Sequence, residues 1–200
     1  MLVPESFELT NIRLRRPRLS DAPAIFEYGS DPEVARLADW PILTCLEPLL
    51  ETLHRREVLW NEGIEYYWII TPKKPDKESD RAIGAISCRV AENVAENVAE
   101  NGAEIGYLLN RKYWGMGYAT EAAKAVVDWV LSQPEISQVW ATCDIENASS
   151  IRVLEKIGMH REKILRNYSI RPQISCHPRD SYLFVRKGNT NTAKRKPYRI

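Results

Sequence analysis

Apolar and polar positions along the chain change period several times, and each change marks an element. Residues 9–16 set Ile12 and Leu14 between Arg13 and Arg15, a period-2 alternation that predicts a strand. Ser20 is placed to cap a helix that starts at Asp21, with Pro23 tolerated in its first turn. Asp31-Pro32 opens a second short helical piece, which Trp40-Pro41 ends. Between 46 and 61, apolar residues at 46, 49, 50, 53, 58 and 59 recur among Glu and Arg, an amphipathic helix with Gly63 as its stop. The stretch 66–71, Tyr-Tyr-Trp-Ile-Ile-Thr, is aromatic and β-branched and predicts a strand. After a charged turn at 72–80, strands are expected at 82–90 and 104–109. A helix follows over 118–131 before Pro134, then a strand at 138–143 and a helix over 148–157 ending at Gly158. Strands at 160–168 and 181–185 complete the pattern.

Early strands without helices between them predict an antiparallel meander, and the later strand-helix-strand unit predicts one parallel step. The fold class is therefore α+β, a mixed, mostly antiparallel sheet with helices. A fully doubly wound sheet does not fit. With 200 residues, 44% hydrophobic and 28% charged, the composition is that of a globular chain. Lys+Arg 28 against Asp+Glu 27 leaves a net charge of +1, which argues against a dedicated nucleic-acid binder. One domain over 1–188 is expected. Ala-Glu-Asn recurs at 91, 95 and 99, so 91–102 reads as a lengthened loop between two strands. Lys194, Arg195, Lys196 and Arg199 make 189–200 a basic tail, expected to be disordered. No secretory leader or membrane span is expected, which points to the cytoplasm. The cysteines (Cys45, Cys88, Cys143, Cys176) show no metal or disulfide spacing and read as buried small hydrophobes. His54, His160 and His177 are too scattered for a zinc cluster, and no metal is implied.

Chemistry concentrates in 104–123. A strand runs into a turn with Gly115 and Gly117, and the turn opens a helix. Glycines let backbone N–H groups approach a ligand, Ala119 stays small, and the helix presents free N–H groups and the positive end of its dipole. Such a turn suits a phosphate or pyrophosphate. A P-loop would need Lys-Ser/Thr after the second glycine, and Tyr118-Ala119 stand there. A dinucleotide fingerprint would need glycine where Thr120 stands, although Asp144 imitates its ribose-binding acid.

A second motif follows the next strand: Asn147, Ser150, Leu154, Glu155, Lys156, Gly158. Together, Trp114-Gly-Met-Gly117-Tyr-Ala119 and this second motif resemble the GCN5-related N-acetyltransferase (GNAT) superfamily, in particular its RimJ/RimL-type branch. Leu14-Arg15-Arg16-Pro17 and Glu104-Ile-Gly-Tyr-Leu look like the same branch, so the resemblance spans about 9–187. Trp114 replaces the superfamily's Gln/Arg, and the repeat before Glu104 is an insertion.

The resemblance implies a GNAT fold of six to seven strands and about four helices, splayed between the fourth and fifth strands of the family pattern. It implies acetyl-CoA as acyl donor and a primary amine as acceptor, in a monomer or homodimer without membrane or nucleic-acid partners. Pyrophosphate would rest on Trp114, Gly115, Met116, Gly117, Tyr118, Ala119 and Thr120, and the acetyl carbonyl against backbone near Tyr107, Leu108 and Leu109. Glu104 is implied as the base and Ser150 as the acid at the leaving thiol. Asn147 would anchor cofactor or strand, though helix capping alone also explains it. Asp144 and Glu146 are further carboxylates able to take the proton. Trp40, Trp60 and Tyr168 are candidate acceptor-site residues, with Arg171 and Arg179 nearby. A noncatalytic acetyl-CoA-binding module and a dinucleotide-linked oxidoreductase are the alternatives.

Overall fold

The computed structural model describes residues 2–73, 80–91 and 101–188. Most of the repeat and the whole basic tail therefore lie outside the described residues. The elements are β1 (Ser6–Glu8), β2 (Ile12–Arg15), α1 (Ala22–Gly29), α2 (Pro32–Ala35), α3 (Glu47–Asn61), β3 (Glu65–Pro72), β4 (Gly84–Ala91), β5 (Gly102–Leu109), α4 (Tyr118–Leu131), β6 (Gln138–Asp144), α5 (Ala148–Lys156), β7 (His160–Arg171) and β8 (Ser175–Lys187). The strands form one sheet in the order β1-β2-β3-β4-β5-β6-β8-β7. β5 and β6 run parallel, and the other pairs run antiparallel.

The meander and the single parallel step match expectation. Among the described residues the sheet has eight strands, slightly more than the six to seven expected, and five α-helices flank it against an expectation of about four. The expected 9–16 strand is shortened, because Leu9 N–H turns back onto the Ile12 carbonyl at 3.1 Å and closes a hairpin with β1. Ser20 does not cap α1. It sits in a single 3-10 turn at Leu19–Asp21, and Asp21 does the organising. Asp21 accepts from Arg18 N–H at 2.7 Å and from both terminal nitrogens of Arg15 at 2.7 and 2.9 Å. Arg15 also reaches Asp80 at 2.7 Å, so a buried guanidinium ties β2, the start of α1 and the approach to β4 together.

Each face of the sheet has its own core. One carries Tyr66, Trp68, Ile86, Cys88, Ile105, Val139 and Phe184, under α4 and α5. Ala122, Ala123, Val126, Val127 and Val130 are fully buried along α4. Each such valine contributes about 1.5–3 kcal/mol of burial. The other face has a cluster of Ile25, Tyr28, Leu49, Leu53, Ile69 and Ala85 beneath α1 and α3. A smaller group, Trp140, Leu183 and Val185, lies toward β8. Between these last two clusters the sheet carries polar side chains.

Two cysteine expectations fail. Cys88 and Cys143 are buried, but Cys45 and Cys176 are exposed. Cys45 lies between α2 and α3, and Cys176 lies at the start of β8.

Candidate active site at the strand opening

β5 pairs with β6 at Gly102–Gln138, Ala103–Val139 and Glu104–Trp140, and then the pairing stops. β5 stays on β4 as far as Leu109, while β6 stays on β8 as far as Asp144. The two strands therefore splay from Glu104 onward. An extra N-terminal strand shifts the numbering, so the splay expected between family strands four and five falls between β5 and β6. Asn110 N–H donates to the Ile83 carbonyl, and antiparallel bonding alternates along β5. By that alternation Tyr107 and Leu109 turn their backbone groups to the opening, whereas Leu108 turns its own to β4. The Leu108 side chain joins the α1–α3 cluster.

The glycine turn lies between β5 and α4. Gly115 and Gly117 have φ of +77° and +81°, the left-handed region that glycine enters without steric penalty. A Cβ built at either would meet no protein atom within 4 Å, so the space over the turn is open. Gly117 is the N-cap of α4, and its carbonyl accepts from Glu121. Helix geometry leaves the N–H groups of Tyr118, Ala119 and Thr120 without intrahelical acceptors. A pyrophosphate fits this set of donors and this open space. Trp114 ties the turn down, its indole N–H donating to the Leu109 carbonyl at 2.7 Å, while its ring and Met116 stay exposed. Glu121 is held by Asn11 through two bonds of 2.9 and 3.0 Å, which fixes the first turn of α4 against the β1–β2 hairpin.

Side-chain parity puts two sets of groups on opposite faces of β5. Tyr107 points to the α4–α5 face and packs against that core. Its hydroxyl lies 2.8 Å from Ser150 Oγ and 3.2 Å from the Ser150 carbonyl oxygen, a bridge across the splay. Asn147 caps α5, accepting from Ser150 N–H at 3.0 Å. Glu104 points the other way, in line with Arg89 on β4 and Glu65 on β3. Glu65 pairs with Arg89 at 3.1 Å and with Arg56 of α3. Burial raises the Glu104 carboxyl above the ordinary carboxylate range; Arg89 opposes the rise, and Asp39 and Glu65 add to it. Tyr168 shares this space: burial and Glu104 raise its phenol, and Thr142 of β6 opposes the rise.

Other candidates fall elsewhere. Trp60 packs edge-on against Tyr66 and Trp68 at 5.3 and 5.1 Å, on the α4 face and away from Glu104. Its place follows from the tight turn at Gly63, which folds the end of α3 back against the start of β3. The Trp40 segment does border the Glu104 face. There the Gln173 carboxamide, between β7 and β8, donates to the Ala35 carbonyl at 3.1 Å and accepts from Ile42 N–H at 2.6 Å. Asp144 is 1% exposed, and Arg179 grips it at 2.8 and 3.3 Å. Burial alone would raise its pKa, but Arg179, the Glu146 N–H and Arg171 hold it below the usual range. Glu146 pairs with Arg179 at 2.9 Å. Neither is a spare base, and Asp144 faces away from the glycine turn, where a ribose acid would have to reach. Arg89 and Asp39 escaped sequence reasoning: sheet register brings Arg89 to Glu104, and the segment between α2 and α3 brings Asp39.

The family model described as an acetyltransferase (GNAT) domain matches residues 11–160. An uncharacterized N-acetyltransferase, p20 of Bacillus licheniformis, is 30% identical over 164 residues, 82% of this chain and 87% of that protein. The crystal structure of a GNAT-family acetyltransferase from Bacillus anthracis aligns with a TM-score of 0.72 at 25% identity, covering 91% of this chain and 98% of that one. Mycobacterium smegmatis RimJ, solved with a CoA-disulfide, gives a TM-score of 0.75 at 18% identity over 96% of this chain and 91% of that one, a likeness of fold. A match running from β2 to the start of β7, through both the opened strands and the glycine turn, establishes that this chain belongs to the GNAT acetyltransferase family.

Proposed function

We propose that the protein transfers an acetyl group from acetyl-CoA to a primary amine, a protein N-terminus or a small amine, by direct attack. The observation that carries this is the β5–β6 opening, with a glycine turn on one side and a half-buried carboxylate at its last paired residue. Pyrophosphate oxygens would take the N–H groups from Met116 to Thr120. The thioester would enter the splay from the α4–α5 face, its carbonyl oxygen meeting backbone N–H of Tyr107 or Leu109. Fixed donors of this kind stabilise a developing oxyanion.

The amine would come from the opposite face, between the α2–α3 segment and the β7–β8 hairpin. It must be neutral to attack. An α-amine, with pKa about 7.7–8.0, needs less help than a lysine at about 10.4. Glu104 takes the proton directly or through water, and its raised pKa brings it closer to that task. A cytoplasmic reaction accords with this reading.

The test is differential stabilisation followed by turnover. Acetyl-CoA should raise Tm and NAD should not, because a ligand that binds the native state stabilises it. Thiol release is then screened across α-amine peptides and small amines. Stabilisation by NAD instead would overturn the reading, and stabilisation by acetyl-CoA without turnover on any amine would favour a noncatalytic binding module.

A further inference from the structure

The geometry points to Tyr107 as a positioning residue that presents the Ser150 hydroxyl to the thioester sulfur as the C–S bond breaks. This rests on the acetyl-transfer reading above. Tyr107 Oη stands 2.8 Å from Ser150 Oγ and 3.2 Å from the Ser150 carbonyl oxygen. A carbonyl can accept but not donate, and each hydroxyl has one proton. Two proton arrangements therefore satisfy the same heavy-atom positions. In one, Tyr107 donates to the carbonyl and Ser150 donates to Tyr107, so both protons stay inside the pair. In the other, Tyr107 donates to Ser150 Oγ, and the Ser150 proton is free for an outside acceptor. The arrival of sulfur selects the second without moving a side chain.

The reaction balances as follows. The amine nitrogen bonds to the acetyl carbon, the C–S bond breaks, and its electron pair goes to sulfur. The proton on nitrogen passes to Glu104, on the other face of the sheet. The thiolate accepts a hydrogen bond from Ser150 and acquires its proton from solvent after release. Full proton transfer from the pair is disfavoured. A thiol ionises near ~8.5 and an ordinary phenol near ~10. Burial pushes Tyr107 well above that; the Ser150 bond opposes the rise, and Cys143 adds to it. The pair therefore donates a hydrogen bond and keeps its protons, and the Tyr107 bond polarises Ser150 into a better donor.

The charged groups that reach this spot are those that act on Cys143: Asp144 on β6, Glu155 on α5, and Arg161 and Arg171 on β7. β6 contributes the Cys143 thiol, itself pushed up to about 12, chiefly by burial. α5 contributes Ser150, and α4 contributes Ala122, Ala123 and Val126 to the same core. These charges are shared by wild type and by variants at Tyr107 and Ser150, so the difference between their titrations of bound sulfur reads the pair.

The test uses the full chain with CoA, following the ultraviolet thiolate band against pH. The apo spectrum is subtracted, because the chain carries four thiols of its own. A hydrogen bond to a charged group is worth about 1.5–3 kcal/mol, and one pKa unit is about 1.4. The bound CoA thiol should ionise about one unit lower in wild type than in Tyr107→Phe or Ser150→Ala, and the double variant should match Ser150→Ala. In single-turnover acetyl transfer, Tyr107→Phe should be about tenfold slower with KM for acetyl-CoA unchanged. If Tyr107→Phe titrates bound CoA like wild type, the role of Tyr107 is overturned while CoA binding stands. If the two substitutions shift the titration additively, the pair does not act as a unit and the proposal is likewise overturned. Failure of wild type to bind CoA would overturn the acetyl-transfer reading itself, and shows before any titration. Should Tyr107→Phe fold poorly, Ser150→Ala still decides whether this hydroxyl touches sulfur, because Ser150 sits half-buried in the first turn of α5.

Discussion

Replacing Gly117 by alanine separates backbone strain from ligand space, because the chain supplies its own control. Gly117 has φ of +81° and Gly158, just beyond α5, has φ of +77°. An alanine at either position must hold the left-handed region, at about 1–2 kcal/mol. Neither gains a clash: the new Cβ at Gly117 meets nothing within 4 Å, and at Gly158 its nearest neighbours are Arg186 atoms at 3.9 Å. Both variants should therefore lose about the same stability. For a chain of this size each kcal/mol shifts Tm by about 2–4 °C, so a drop of about 2–8 °C is expected in each. Their ligand binding should differ. The Gly117 methyl projects into the open space over the N-terminus of α4, where phosphate oxygens would sit. The Gly158 methyl lies beside Arg186, on β8. Calorimetric titration with CoA should show Gly117→Ala weakened at least about tenfold, or ~1.4 kcal/mol, and Gly158→Ala unchanged. Equal CoA affinity in the two variants would refute the placement of the phosphates. A much larger loss of stability at Gly117 would refute the claim that strain is its only structural cost.

Glu104→Gln keeps the shape of the side chain but removes its basic lone pair, so turnover should fall about 10²–10⁴-fold with CoA affinity intact, as compared pH–rate profiles would show. The carboxyl is raised in the folded state, so its stabilising contribution is present below the ordinary carboxylate pKa and lost as pH rises through the folded value; at neutral pH Glu104→Gln should melt no lower than wild type. Asp21→Ala leaves the buried Arg15 guanidinium with Asp80 as its remaining carboxylate partner and should cost about 3–5 kcal/mol in urea unfolding, while CoA affinity per folded molecule stays unchanged. Asp144 has a lowered folded pKa, so its contribution is present above the ordinary carboxylate range and lost as pH falls through the folded value. Asp144→Asn should therefore destabilise the protein at neutral pH and flatten that part of its acid-unfolding curve. An unaltered acid limb would contradict the Arg179 pairing.

Local chemistry accounts for what was legible in the sequence. Gly117 and Ala119 mark a turn that opens a helix, because positive φ and close backbone approach are properties of single residues. Asn147 marks the start of α5, and it caps that helix in the structure. The period-2 and 3.6 patterns locate β3, β4, β6, α3 and α4 to within a few residues, since burial on one face imposes them. Tertiary structure decided everything that depends on register and parity. Trp60 and Tyr168 are both aromatics near element ends, yet Trp60 joins the α4 core and Tyr168 the Glu104 face. Cys45 and Cys176 look like Cys88 and Cys143 in sequence, and only packing exposes the first pair. Asp144 looked available until Arg179 came to it from β8. Tyr107 and Ser150 lie on separate elements, and nothing local to either announces their 2.8 Å contact. The physical reason is one of range: capping, turns and periodicity act over a few residues of chain, whereas a cleft is made where strands far apart in sequence pair for three residues and then part.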